Sequence, residues 1–291
     1  EYRKLGDLDL YINEPKALEK AQVLLEAQGY KEEKELSDHH VTYRYTFPKT
    51  GRSFLLELHY RVVGMYQYEP ANQTVDEVYS PLRLKPIRQT INGFTYSVLP
   101  PTEYVFYMIH HMLKHYLYSG FGIRLLCDFV LYLKRYEKEI DFSRIHQWCK
   151  ASRISHLYEI ILKTCRLYLD LPASIDPAIN ASPETSEAFL IRILEDGDMG
   201  TDVSQALVGS GSYRKINLLT YFREGHVQMK VRFPKAGHCP LLWPALWPAT
   251  FFCFLKNTYT LRNTTLRQTL KDFRKSNQKT TLVRIFENSD S

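Results

Sequence analysis

Three acidic side chains near the start of the chain offer the chemistry most open to a physical reading. Asp7 and Asp9 are separated by one leucine, and Glu57 follows in a later segment of alternating character. Successive side chains of a strand point to opposite faces, so Asp7 and Asp9 share a face with Tyr11 while Leu8, Leu10 and Ile12 take the other. In the second segment Phe54, Leu56, Leu58 and Tyr60 form an apolar face, with Leu55, Glu57 and His59 opposite. Two carboxylates on one strand, joined by a third from a neighbouring strand, can hold two divalent cations a few ångströms apart. Hard oxygen donors suit Mg2+ or Mn2+. Nucleotidyl transfer uses such a pair, one cation activating the attacking hydroxyl and the other steadying the triphosphate and the departing pyrophosphate. Asp7, Asp9 and Glu57 are therefore the expected metal ligands and catalytic groups, although each alone would read as a solvated carboxylate at a strand end.

The elements that must position them can be read from spacing. A strand over residues 7–12 is followed by a helix opened by Pro15, carrying Leu18, Ala21, Leu24 and Leu25 on one face and capped at Gly29. Val41, Tyr43, Tyr45 and Phe47 alternate with Thr42, Arg44 and Thr46 in a second strand, and Thr50-Gly51 turns the chain into the third. From Pro100 the texture changes. Pro101-Thr102-Glu103 opens a helix running to Tyr118, and residues 123–136, 142–151 and 157–169 form the next helices, the last stopped at Leu171-Pro172. Shorter helices are expected at 188–194 and 217–222, with a Gly- and Ser-rich loop at 209–212. The fold expected is α+β: a small mixed sheet over residues 1–99, then a mainly helical domain over 100–291.

Composition sets limits. With 291 residues and 44% hydrophobic content, the chain is long enough for a substantial core and is not compositionally disordered. A net charge of +6 suits a polyanionic ligand such as a nucleoside triphosphate without implying nucleic acid. Five scattered cysteines, none in a CxxC pair, indicate neither a disulfide framework nor a zinc site, so a reducing, cytoplasmic setting is expected. No signal peptide is expected in a chain opening at Glu1, and the natural chain is expected to begin earlier. The uncharged stretch 239–255 is interrupted by Pro240, Pro244 and Pro248, which favours a buried or docking segment over a membrane span.

The order Gly6-Asp7-Leu8-Asp9-Leu10, a helix ending in Gly29, then a strand bearing Glu57 resembles the nucleotidyltransferase superfamily. More narrowly, the run from Arg3 to Leu10, Glu57-Leu58-His59, Leu99-Pro100-Pro101-Thr102-Glu103 and residues 110–128 are similar to the bacterial uncharacterised nucleotidyltransferases. The similarity continues in Arg232-Phe233-Pro234 and residues 241–255. It implies transfer of a nucleoside monophosphate from a nucleoside triphosphate, ATP foremost, to a hydroxyl of an unspecified acceptor. Asp7 and Asp9 would ligate both metals and Glu57 the catalytic one. One feature departs from the pattern: the superfamily's phosphate-cradling Gly-Ser element belongs further upstream of Asp7 than the six residues present there. Either an upstream segment precedes Arg3 or the phosphate loop has been lost. Loss would favour the rival reading, an inactive nucleotide-binding or antitoxin-like protein-interaction module.

Other residues are candidates for phosphate or acceptor contact. His110, His111, Lys114 and His115 fall within two helical turns, with His111 and His115 on one face. That face either lines a cleft, where Lys114, His115 and Arg124 reach the triphosphate, or His110 packs in the core and Lys114 and His115 are solvated; a zinc pair is the least favoured reading. Arg124 and Asp128 have the spacing of a helix-surface ion pair, and the resemblance adds Arg124 to the site. His59 shares the Glu57 face and either touches substrate, supports a ligand or makes a structural hydrogen bond. Arg3, Lys4 and Gly6 lie beside the aspartates and would balance phosphate charge. The 21 tyrosines are expected to serve packing, and the late basic run from Arg262 to Lys279 to be a solvated helix face, so nucleic acid is not the favoured partner.

Overall fold

A computed structural model of the chain describes residues 7–12, 14–33, 37, 39–66, 68–118, 122–196, 226, 229–230, 233, 236–260 and 282–283. The chain divides into two compact units, Glu1–Tyr107 and Met108–Ser291, with the division falling inside one long helix.

The first unit is built on a four-stranded mixed sheet. Its strands are β1 (Asp7–Tyr11), β2 (Lys31–Glu32), β3 (His40–Thr46) and β4 (Ser53–His59), in the order β1-β4-β3-β2. β1 runs parallel to β4, and the remaining pairs are antiparallel. The crossover from β1 is α1 (Pro15–Ala27). Pro15 stands in the first turn, where its missing N–H costs nothing, and Gly29, at φ 87°, ends the helix. Gly29 N–H donates to Glu26 O at 3.0 Å and Tyr30 N–H to Leu25 O at 3.0 Å, the paired bonds of a Schellman cap. Tyr30 and Leu25 then both pack on the sheet, against the buried Tyr43, Leu56 and Leu58, together with Ile12, Leu18, Ala21, Val41 and Phe54.

The alternation in β3 and β4 thus gives the sheet one apolar face under α1 and one polar face. β1 follows the pattern only in part, because α1 covers β3 and β4 and leaves the edge strand's Leu8 and Leu10 49% and 40% exposed. The short strand β2, α2 (Glu69–Val78) and a hairpin of β5 (Ile87–Ile91) with β6 (Phe94–Val98) were not anticipated from the sequence. The hairpin has a legible signal in Asn92-Gly93, whose φ values of 51° and 82° are those of a two-residue primed turn.

α3 (Pro101–Tyr118) carries the chain into the second unit, where α4 (Ile123–Tyr136), α5 (Phe142–Ala151), α6 (Ser155–Tyr168) and α7 (Pro183–Asp196) follow. α7 is longer than its apolar core suggests, because Ser182 caps it: Thr185 N–H donates to Ser182 Oγ at 3.2 Å and Pro183 follows the cap. A buried polar knot ties α5 to α6. Asp176 accepts from Tyr158 OH at 2.6 Å and pairs with His146 Nε2 at 2.8 Å. The expected helix 217–222, the loop 209–212 and the basic run after Arg262 lie outside the described residues. The proline-rich stretch is more regular than expected, forming a helix over Trp243–Thr260 with Pro248 inside it. Pro244 falls in the first turn, where no N–H is needed, so the interruption reduces to the bond lost at Pro248. Among the described residues no helix is long and apolar enough to cross a membrane.

Burial decides which leucines matter. Leu58, 0% exposed beneath α1, should lose about 3 kcal/mol on truncation to alanine, whereas the exposed Leu8 should lose under about 1 kcal/mol. Urea denaturation of L58A and L8A measures both; equal losses would contradict the packing described.

Candidate active site

The polar face of the sheet assembles the site. Parallel pairing of β1 with β4 sets Asp9 opposite Glu57 and Tyr11 opposite His59, and antiparallel pairing of β3 with β4 sets Thr42 opposite Glu57 and His40 opposite His59. Asp9, Glu57 and His59 each offer a ligand atom, and these atoms all lie within 4.8 Å of one another. Asp7 stands on the same face one step along β1, opposite Leu55. Burial, then the charges of Asp9 and Glu57, push its carboxyl above the usual range, so all three carboxylates share one field.

His59 links them. Its Nε2 lies 3.2 Å from Glu57 Oε2 and 3.4 Å from Asp9 Oδ1, and its Nδ1 donates to the Arg61 carbonyl at 3.3 Å. The ring is buried, which alone would lower its pKa; the hydrogen bonds to Asp9 and Glu57 prevail and raise it to about 9. Glu57 responds in the opposite sense. Burial works to raise its carboxyl, but the hydrogen bond from His59 and the charge of His40 hold it below the ordinary value. Asp9 also accepts from Tyr107 OH at 3.0 Å, and burial followed by the Asp9 charge pushes that phenol well above its usual pKa. The phenol therefore stays protonated and remains a donor.

Position is transmitted through tyrosines. Tyr11 OH donates to Tyr79 O at 3.0 Å, Tyr79 OH donates to Glu103 O at 2.7 Å, and Tyr79 stacks on Phe106 with centroids 6.3 Å apart. The segment after β4 is clamped by Asn72, whose side chain accepts from Tyr66 N at 2.8 Å and donates to Tyr66 O at 2.7 Å. Arg61 ties it further through Asp76 Oδ1 at 2.7 Å.

A divalent cation fits this donor set chemically. Two carboxylates and an imidazole converge, and Thr42 Oγ1, buried beside Glu57 in register, finds no hydrogen-bond partner among the described residues. Of the residues expected from sequence, Asp7, Asp9, Glu57 and His59 come together on one face. Arg3, Lys4 and Gly6 lie outside the described residues. His110, Lys114, His115 and Arg124 belong to the second unit. There His110 is buried, Arg124 is exposed in the first turn of α4, and His111 and His115 approach to 3.0 Å between their Nε2 atoms. Sequence reasoning missed Tyr107, which reaches Asp9 from a distant helix, and His39 and His40. The His-His pair directly before an alternating strand was a usable signal.

A family model described as "Uncharacterised nucleotidyltransferase" matches residues 1–170 of the chain. No curated protein and no solved structure matches it.

The raised His59 fixes a pH dependence. A group whose folded pKa lies above its unfolded 6.5 stabilises the fold fully below that pH and ceases to do so as pH rises through about 9. In chelator-treated protein, stability should therefore fall by up to about 3 kcal/mol between pH 6.5 and 9. Denaturation of wild type and H59N across this window measures it; an equal decline in both would remove His59 as the cause.

Proposed function

This chain belongs to the uncharacterised nucleotidyltransferase family and is a transferase, and we propose that it moves a nucleoside monophosphate from ATP or another nucleoside triphosphate to a hydroxyl of its acceptor, with Mg2+ or Mn2+. The observation that supports this reading is the register that sets Asp9 beside Glu57, with Asp7 on the same face. Those carboxylates would hold the divalent cations, which when bound supply charge neutralisation for the triphosphate and acidify the acceptor hydroxyl.

The remaining contributions come from the chain itself. Tyr107, held protonated, donates to Asp9 and fixes the orientation of its carboxylate. His59, anchored through Nδ1 on the Arg61 carbonyl, keeps Glu57 ionised. Glu57 would receive the acceptor proton as the acceptor oxygen bonds to the α-phosphorus and the bond to pyrophosphate breaks. Rigid mounting of these groups on paired strands means that positioning and electrostatics supply most of the rate. Polar groups mounted on one face of a sheet, rather than a loop, favour catalysis that depends on fixed geometry.

Two measurements test the reading. Thermal-shift scans should show stabilisation by a nucleoside triphosphate only in the presence of Mg2+ or Mn2+, since a ligand that binds the native state raises its melting temperature. D9N should lower triphosphate turnover at least about a hundredfold with an unchanged circular dichroism spectrum. Full turnover in D9N would refute the assignment, and triphosphate binding without turnover in the wild type would mark an inactive binding module.

A further inference from the structure

Beyond the three carboxylates, the same face of the sheet holds a group of imidazoles of which the proposed reaction uses only His59. His39, His40 and His59 each offer a ring nitrogen, and these atoms lie within 4.8 Å of one another. Two consecutive residues on a strand would point to opposite faces. His40 opens β3, whereas His39 lies in the bend just before it, and that bend turns both rings to the same side. Their ring centroids are 4.4 Å apart, and they stand 5.3 Å and 5.0 Å from the His59 ring.

The donor atoms form a chain of near-tetrahedral edges. His39 Nε2 is 3.1 Å from His40 Nδ1, His40 Nδ1 is 3.6 Å from Glu57 Oε2, and Glu57 Oε2 is 3.2 Å from His59 Nε2. A tetrahedral ion with bonds near 2.0–2.1 Å places its ligands about 3.3 Å apart. The outer nitrogens are engaged as metal-bound histidines require: His39 Nδ1 lies 3.0 Å from Ser37 Oγ, and His59 Nδ1 donates to the Arg61 carbonyl at 3.3 Å. The Arg61 carbonyl can only accept, so His59 carries its proton on Nδ1 and turns Nε2 inward; Ser37 Oγ can donate to or accept from His39 Nδ1 and also lies 3.0 Å from His40 Nδ1. His39 and His40 are half-buried, which leaves a route for an ion to enter.

We propose that His39, His40 and His59, with Glu57 as the fourth donor, form a binding site for a borderline divalent transition metal of the zinc or cobalt class. Imidazole nitrogens discriminate against Mg2+, which prefers oxygen and octahedral geometry. His59 Nε2 serves one ion at a time. It completes the nitrogen-rich set, while Asp7 and Asp9 remain on the oxygen-rich side and Glu57, with two oxygens, can face both. The chain thus carries two adjoining cation positions of different hardness. The assignment of metal class stands whether or not the transfer reaction is as proposed.

The test uses the full chain, stripped of metal by chelation and titrated with Co2+ alone. Expected are one tight equivalent and the intense visible absorption of four-coordinate Co2+, displaced by Zn2+ but not by Mg2+ in large excess. H39A and H40A should each weaken Co2+ binding at least about tenfold, with circular dichroism and melting confirming that both variants fold. Absence of the visible band, retention of full affinity in both folded variants, or displacement by Mg2+ would overturn the site. Thermal shifts with ATP and Mg2+ on the same preparation separate this inference from the transferase reading. A nucleotide shift without the cobalt band overturns the histidine site alone, and a cobalt band without a nucleotide shift supports the site while counting against the reaction.

Discussion

Everything in the first unit answers to one pairing, the parallel alignment of β1 with β4 that sets Asp9 against Glu57. Like charges directly opposite on neighbouring strands repel, and partial burial sharpens the repulsion by removing solvent. Such a register persists only where something else supplies positive charge or donors. His59 provides the charge through one nitrogen shared by both carboxylates, and Tyr107 provides a neutral donor to Asp9. A parallel pair also demands a crossover. α1 meets that demand, and the Schellman cap at Gly29 returns the chain toward the sheet while adding Tyr30 to the core.

The division of labour between the faces follows from strand geometry. Phe54, Leu56 and Leu58 alternate with Leu55, Glu57 and His59, so every residue that anchors β4 under α1 fixes the direction of a functional neighbour. A one-residue slip of β4 would send Glu57 into the apolar layer and expose Leu56 and Leu58. The cost of burying a carboxylate there makes the register strongly specified, and the same preference that builds the core aims the site.

Much of this was legible in the sequence, for identifiable reasons. Local periodicity identified β1, β3, β4, α1 and the helices α3 to α7, because in those segments apolar spacing and end signals agree. Alternation set Asp7, Asp9 and Glu57 on the polar sides of their strands, and the family resemblance joined them into one expected site. The hairpin was missed although Asn92-Gly93 announces it, since its strands carry large apolar groups on exposed positions and show no buried face: Phe94 is 68% exposed. Tyr107 was not legible because its bond to Asp9 joins residues far apart in the chain, and helical spacing says nothing of such a partner. His39 was hidden by the alternation rule itself. Treated as a strand residue it would face away from His40, and only the bend before β3 brings the two together.

The last step concerns the two states available to His59. With both nitrogens protonated, the ring places a positive charge between Asp9 and Glu57; with Nε2 deprotonated, it offers a lone pair at the same place. The Nδ1 bond to the Arg61 carbonyl is compatible with either state, so the ring need not turn when one replaces the other. A cation entering on the lone-pair side would substitute for the proton it displaces, and the carboxylates would face positive charge before and after. The strands around them would then have little to rearrange. Arg61 is itself held by Asp76 of α2 and by Val63 O, so the residue whose carbonyl orients His59 is tied both to α2 and to the loop that follows β4. The pre-organisation of the acidic pair is thus a property of the loop as much as of the sheet, and the constraint that looks purely structural at Arg61 is the one that keeps a basic nitrogen pointed at two acids.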